Sequence, residues 1–179
     1  YKRSCHESSV RIPMALTGGP FTGGGRLRQM VSLVDIAPTL LEACGIPVPE
    51  DMQGHSFLPS LRNPQEKGPE EIFIQISESQ VGRAVRTKRL KYSVEAPDKD
   101  PIQDSCSDHY VETFLYDLEH DPWEQHNLIH SAAHEPVCQV MRERLLRCMK
   151  NAGEAPAVIT PAEKEQQGAL KIFPGEEWL

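Results

Sequence analysis

The chain has no apolar run approaching the ~18 to 20 residues that a bilayer-crossing helix needs, so no membrane span is expected. It also lacks a cysteine framework. The five cysteines, Cys5, Cys44, Cys106, Cys138 and Cys148, are odd in number and form no C-x-x-C, which points neither to a disulfide scaffold nor to a zinc ribbon. No asparagine opens an N-x-S/T acceptor, because Pro follows Asn63 and no hydroxyl follows Asn127 or Asn151 at the required place. These two absences lean towards a reducing, cytoplasmic setting. Positive charge is in deficit: Lys and Arg number 19 against 26 Asp and Glu, for a net charge of -7, which argues against nucleic acid as a partner. G-x-S-x-G is missing, as is any evident Ser/His/Asp set. The glycine run at 18 to 25 fits neither G-x-G-x-x-G nor a P-loop and reads as a flexible surface loop.

What is present is a globular composition on the polar side, 39% hydrophobic and 25% charged over 179 residues. The first thirteen residues concentrate the chemistry. Lys2, His6, Glu7 and Arg11 fall within ten positions of a polar loop that runs into the apolar stretch Ile12-Pro13-Met14-Ala15-Leu16. A lysine is a point charge on a flexible stem and suits a tetrahedral oxyanion. Arg11 is expected to fork onto Glu7 and fix the loop. Tyr1 opens on this loop with no Met and no lead-in strand, and the expectation is that an upstream part is missing.

Residues 11 to 17 read as a buried strand. A short helix is expected within 31 to 45, N-capped by Asp35, with Ile36, Leu40, Ala43 and Cys44 inward and Gly45 as its stop. A proline-rich loop follows and closes on one helical turn before residue 62. A boundary is expected near 62 to 70, after which short β-like runs at 72–77, 81–87, 90–94 and 112–117 predict an antiparallel meander. The stretch 95 to 110 reads as a mobile excursion. Residues 135 to 150 predict the strongest helix, with Pro136 at its start and Val137, Met141, Leu145 and Cys148 on its buried face. From 154 onwards the chain is expected to lie extended. His126, His130 and His134 recur at helical spacing, but loop residues interrupt them and they read as solvated.

Four stretches in collinear order resemble the C-terminal part of the sulfatases. Lys2-x3-His6-Glu7-x3-Arg11-x-Pro13 is similar to a recurrent K-x3-[YF]-E-x3-R-x-P. Val34-Asp35-x2-Pro38-Thr39-Leu40-Leu41, with Gly45-Ile46 and Gly54-His55-Ser56 behind it, resembles a second motif. Val85-Arg86-Thr87-x3-Lys91-Tyr92 and Leu115-Tyr116-Asp117-Leu118-x2-Asp121-Pro122-x-Glu124-x2-Asn127-Leu128 resemble two late ones.

The resemblance implies an α/β fold of alkaline-phosphatase-like type. Residues 1–65 would end the large catalytic domain, 66–153 would form a small subdomain of four antiparallel strands and a helix, and 154–179 an extended tail. It implies hydrolysis of sulfate esters, of a small molecule or a sulfated glycan. The nucleophile would be a formylglycine made from Cys or Ser in C/S-x-P-S/A-R, and calcium would be held by Asp and Asn. Lys2 would contact the sulfate as the catalytic lysine, His6 would line the substrate pocket or pack as a polar ring, and Glu7 and Arg11 would support the loop. The nucleophile motif is not in this chain, and no metal ligand is expected in it. A phosphodiesterase or phosphonate monoester hydrolase of the same superfamily, or a remnant that only binds, are the alternatives.

Overall fold

The computed structural model describes residues 3–63 and 65–164. Its centre is a sheet of five strands in chain order: β1 (Glu71–Ser77), β2 (Val81–Thr87), β3 (Leu90–Glu95), β4 (His109–Asp117) and β5 (Val158–Thr160). The first four form the antiparallel meander expected of short β-like runs separated by turn residues. The fifth is a difference from the four expected. Part of the tail adds alongside β4 in parallel, so the sheet is mixed. The tail beyond 164, with its apolar patch at 169–173, lies outside the described residues.

Alternation gives the sheet two faces. Val81, Val85, Tyr92, Val94, Tyr110 and Leu115 pack beneath helix α4 (Glu135–Asn151). The helix seats on Cys138, Met141, Leu145 and Met149, whereas Val137 and Cys148 of the expected stripe only flank the contact. Ion pairs accompany this rotation. Arg142 reaches Glu112 on β4, and Arg144 and Arg147 both reach Glu71 on β1 at 2.7 Å.

A bulge in β4 decides what faces where. Ser93 pairs with Phe114 and Val94 with Glu112, leaving Thr113 as the extra residue. Its hydroxyl donates to the Ser93 carbonyl at 3.0 Å and its carbonyl accepts from Asn127 at 2.9 Å, so the broken ladder is satisfied. The added residue reverses the pleat. Tyr110 and Leu115, an odd number of positions apart, therefore both face α4, while Phe114 and Tyr116 turn to the other face. There they meet Ala84 and, from the N-terminal loop, Cys5.

The segment before the sheet departs most from expectation. Helix α1 (Glu7–Val10) is one turn, and 11 to 17 form no strand. Ile12, Met14 and Leu16 are exposed, Ile12 by 55%, because no described strand runs beside them to pair with. Helix α2 (Ile36–Ala43) follows a 3-10 turn at Leu33–Asp35. Asp35 stands at its N-cap without capping it. The carboxylate instead accepts the Ser32 amide at 2.8 Å and the His55 amide at 2.9 Å. The buried side of α2 is Pro38 and Thr39, not the expected Ile36, Leu40, Ala43 and Cys44. Thr39 accepts the Phe57 amide at 3.1 Å and so ties helix α3 (Leu58–Arg62) to α2. Gly54 passes so close to the Val34 carbonyl that a Cβ there would overlap it. Gly45, at φ 70°, ends α2 with Ile46 N–H to Leu41 and Gly45 N–H to Glu42, the left-handed stop expected of it. The excursion at 95 to 110 is closed by local hydrogen bonds, Asp100 to Asp104 and Ser107 to Tyr110 among them. No helix among the described residues is long and apolar enough to cross a membrane.

Candidate functional site

Lys2 lies outside the described residues; the loop is described from Arg3. Arg3, in the left-handed region at φ 66°, accepts a hydrogen bond from Ser79 through its carbonyl and pairs with Glu78 at its exposed end. Cys5 is fully buried beside Ala84, Phe114 and Tyr116, and burial pushes its thiol up to about 11. His6 packs its ring, tilted, 4.7 Å from that of Phe114 and 5.9 Å from that of Tyr116, with Nδ1 3.2 Å from the Ser4 hydroxyl. Burial lowers its pKa below the ordinary value. Glu124 opposes that shift and Lys91 adds to it.

Glu7 is the anchor. Its carboxylate accepts from Arg86 Nε at 3.3 Å and from Lys91 Nζ at 3.2 Å. Its amide donates to Glu124 Oε2 at 2.8 Å, and Lys91 also pairs with the other oxygen of Glu124. Lys91 has no solvent exposure at all and lies 5.9 Å over the Phe114 ring. Burial alone would raise the Glu7 carboxyl; Lys91 and Arg86 outweigh it and hold the group below its ordinary value. Arg11 is exposed. Its amide bonds to the Glu7 carbonyl at 2.9 Å, but the guanidinium fork expected of it comes from Arg86, with Lys91 beside it.

Arg86, Lys91 and Glu124 stand within motifs of the sequence, but their convergence is not evident from those motifs. One signal does point to it. Arg86 and Lys91 sit directly opposite in the β2–β3 register, and two cations so placed repel unless an anion lies between them. Glu124 is carried by a tight loop in which Asp121 accepts the amides of Gln125 at 3.0 Å and His126 at 2.8 Å. Asn127 bonds the Leu115 and Ile129 amides, fixing that loop to β4.

The remaining groups are engaged elsewhere. His126, His130 and His134 turn to Asp121, the Glu163 carbonyl and Ser131, and do not converge. Among the described residues, the metal-type donors that do converge are those of Asp117, Glu119 and His120, and Arg89 grips Asp117 at 2.6 Å. A guanidinium there repels a divalent ion, so the residues present do not fit calcium. The loop thus offers a rigid seat for the side chains it carries, built from three separated motifs.

The chain belongs to the sulfatase family: the family described as N-sulphoglucosamine sulphohydrolase, C-terminal, matches residues 1–151. Arylsulfatase K of Bos taurus is 31% identical over 176 residues, 93% of this chain and 30% of that protein. An ulvan-active sulfatase of Formosa agariphila is 32% identical over 149 residues, 70% of this chain and 29% of that protein. A structure solved in complex with its substrate, D-glucosamine-2-N,6-O-disulfate, superposes with a TM-score of 0.54 at 25% identity, over 66% of this chain and 24% of that one. The chain therefore spans about a third of the length of these relatives or less. Its fold is that of the C-terminal region of the alkaline-phosphatase-like sulfatases.

Proposed function

We propose that this chain is the C-terminal part of a sulfatase that hydrolyses sulfate esters of a sugar, with Lys2 contacting the sulfate. An ammonium held at that point stabilises charge developing on the transferred group and on its leaving oxygen. His6, packed tilted against Phe114, would line the substrate pocket. In this reading the formylglycine and the calcium ligands belong to sequence preceding Lys2, and no step is derived through either. The sugar is suggested by the disulfated glucosamine bound to the structural relative and by the ulvan-active relative.

One observation supports the reading: three motifs far apart in sequence meet at Glu7 and tie down the segment that carries His6, which follows Lys2 in the sequence. The test uses the protein with its upstream reading frame, assayed on an aryl sulfate and on sulfated glucosamine. Sulfate release is expected, with Lys2→Ala lowering kcat about 10²- to 10³-fold. Hydrolysis of a phosphate diester in place of the sulfate would move the assignment to the phosphodiesterases, and no hydrolysis of either would leave a binding remnant.

A further inference from the structure

Lys91 cannot touch substrate. It is without solvent exposure, and its ammonium is taken up by Glu7 and Glu124. Its reach ends on the residue that closes the loop, five positions after Lys2 and one after His6. Glu7 is held twice over by groups from outside the loop. Its side chain lies between Arg86 and Lys91, and its backbone amide meets Glu124. Fixing side chain and main chain of one residue sets both its position and its orientation.

Stability alone is a weak reason for such a cluster, since buried ion pairs roughly break even with apolar packing. Glu124 supplies an independent observation. Its φ is 56°, in the left-handed region where glycine or asparagine sits without strain. A turn needing only that backbone would be better served by glycine. The carboxylate at this place accepts the Glu7 amide and faces Lys91, which no glycine could do.

We infer that Lys91 and Glu124 are positioning residues for the proposed hydrolysis, acting through Glu7 to hold the segment that carries His6 and directly follows Lys2 in the sequence. This rests on the sulfatase reading above. A displacement of about 1 Å at a reacting group can cost on the order of 10²-fold in rate, so a clasp of this kind is expected to show in kcat.

The experiment is a double-mutant cycle in the protein with its upstream reading frame. Glu124→Gln keeps an oxygen for the Glu7 amide and removes the charge beside Lys91. In the wild-type background it is expected to lower kcat by about 10- to 100-fold with little change in KM. In the Lys2→Ala background the same substitution is expected to change kcat by less than about twofold, because Lys2, the charged group whose placement sets kcat, is gone, and a misplaced His6 is read in KM. An equal fold loss in both backgrounds overturns the inference and leaves Glu124 a residue of general stability. Should E124Q not accumulate as folded protein, Glu7→Gln at the same junction closes the same cycle, and the same comparison of backgrounds supports or overturns the inference. If Lys2→Ala itself leaves kcat unchanged, the sulfate contact fails on that single measurement, before the cycle is drawn.

Discussion

Burial disfavours charge on His6 and on Glu7 alike, yet the two neighbours end in opposite states. The imidazole gives up its proton early because burial has only a partial counterweight in Glu124, whereas Lys91 and Arg86 keep the Glu7 carboxylate ionised. Both shifts have the same consequence. The unfolded chain takes up the His6 proton first, so stability falls as pH drops below the ordinary imidazole value of 6.5. Glu7 adds stability that is complete above its ordinary value of 4.5 and is lost as pH falls through the lower folded one. His6→Phe keeps a ring on Phe114 and removes the first loss. Urea midpoints measured at about pH 7.5 and about pH 5.5 are expected to fall less in this variant than in the wild type, and parallel changes would assign the effect to another group. Cys5 yields a second expectation at this scale. Buried and raised to about 11, it should resist iodoacetamide in the folded chain while exposed Cys44 and Cys106 react, as mass spectrometry of the labelled peptides can show. Glu7 itself is legible in the sequence as a loop anchor. Its partners are not, because Arg86 and Lys91 lie 79 and 84 positions away and only the strand register brings them under it.

Among the elements, those whose signal is local are legible in the sequence. The short β-like run at 81–87 and the turn residues around it reproduce β2, and Gly45 stops α2 where its left-handed φ permits. The differences arise where a neighbour decides. An apolar run at 11–17 resembles a strand, but a strand exists only beside another. The buried stripe of α4 runs through Cys138 and Met149, with ion pairs to Glu71 and Glu112 on either side, a packing arrangement that helical periodicity does not contain. The bulge at Thr113 leaves no mark in the composition at all, yet it assigns Phe114 and Tyr116 to the face of the candidate site. The helix contact itself is testable. Leu145 is fully buried at the middle of α4, and Leu145→Ala is expected to cost about 2 to 5 kcal/mol in chemical unfolding. A loss within about 0.5 kcal/mol would mean that α4 does not seat there.

At the scale of the molecule, apolar surface is distributed unevenly. The sheet and α4 enclose a core, whereas Ile12, Met14, Leu33, Val34, Leu40 and Ile46 are all exposed, Leu33 by 63%. Studied as this chain alone, the protein is expected to self-associate in sedimentation despite its net charge of -7, and Ile12→Lys with Leu33→Lys to shift it towards monomer. A monodisperse parent chain would count against this. The sheet and the loop also differ in when they can form. Strands β2, β3 and β4 each pair with their immediate predecessor, a topology of short closures that assembles quickly. The bond from the Glu7 amide to Glu124 spans 117 positions and has no surface to form on until β3, β4 and the turn after them are in place. A refolding chain is therefore expected to form these strands before it fastens this loop, so the anchoring of the candidate site follows the sheet that it depends on.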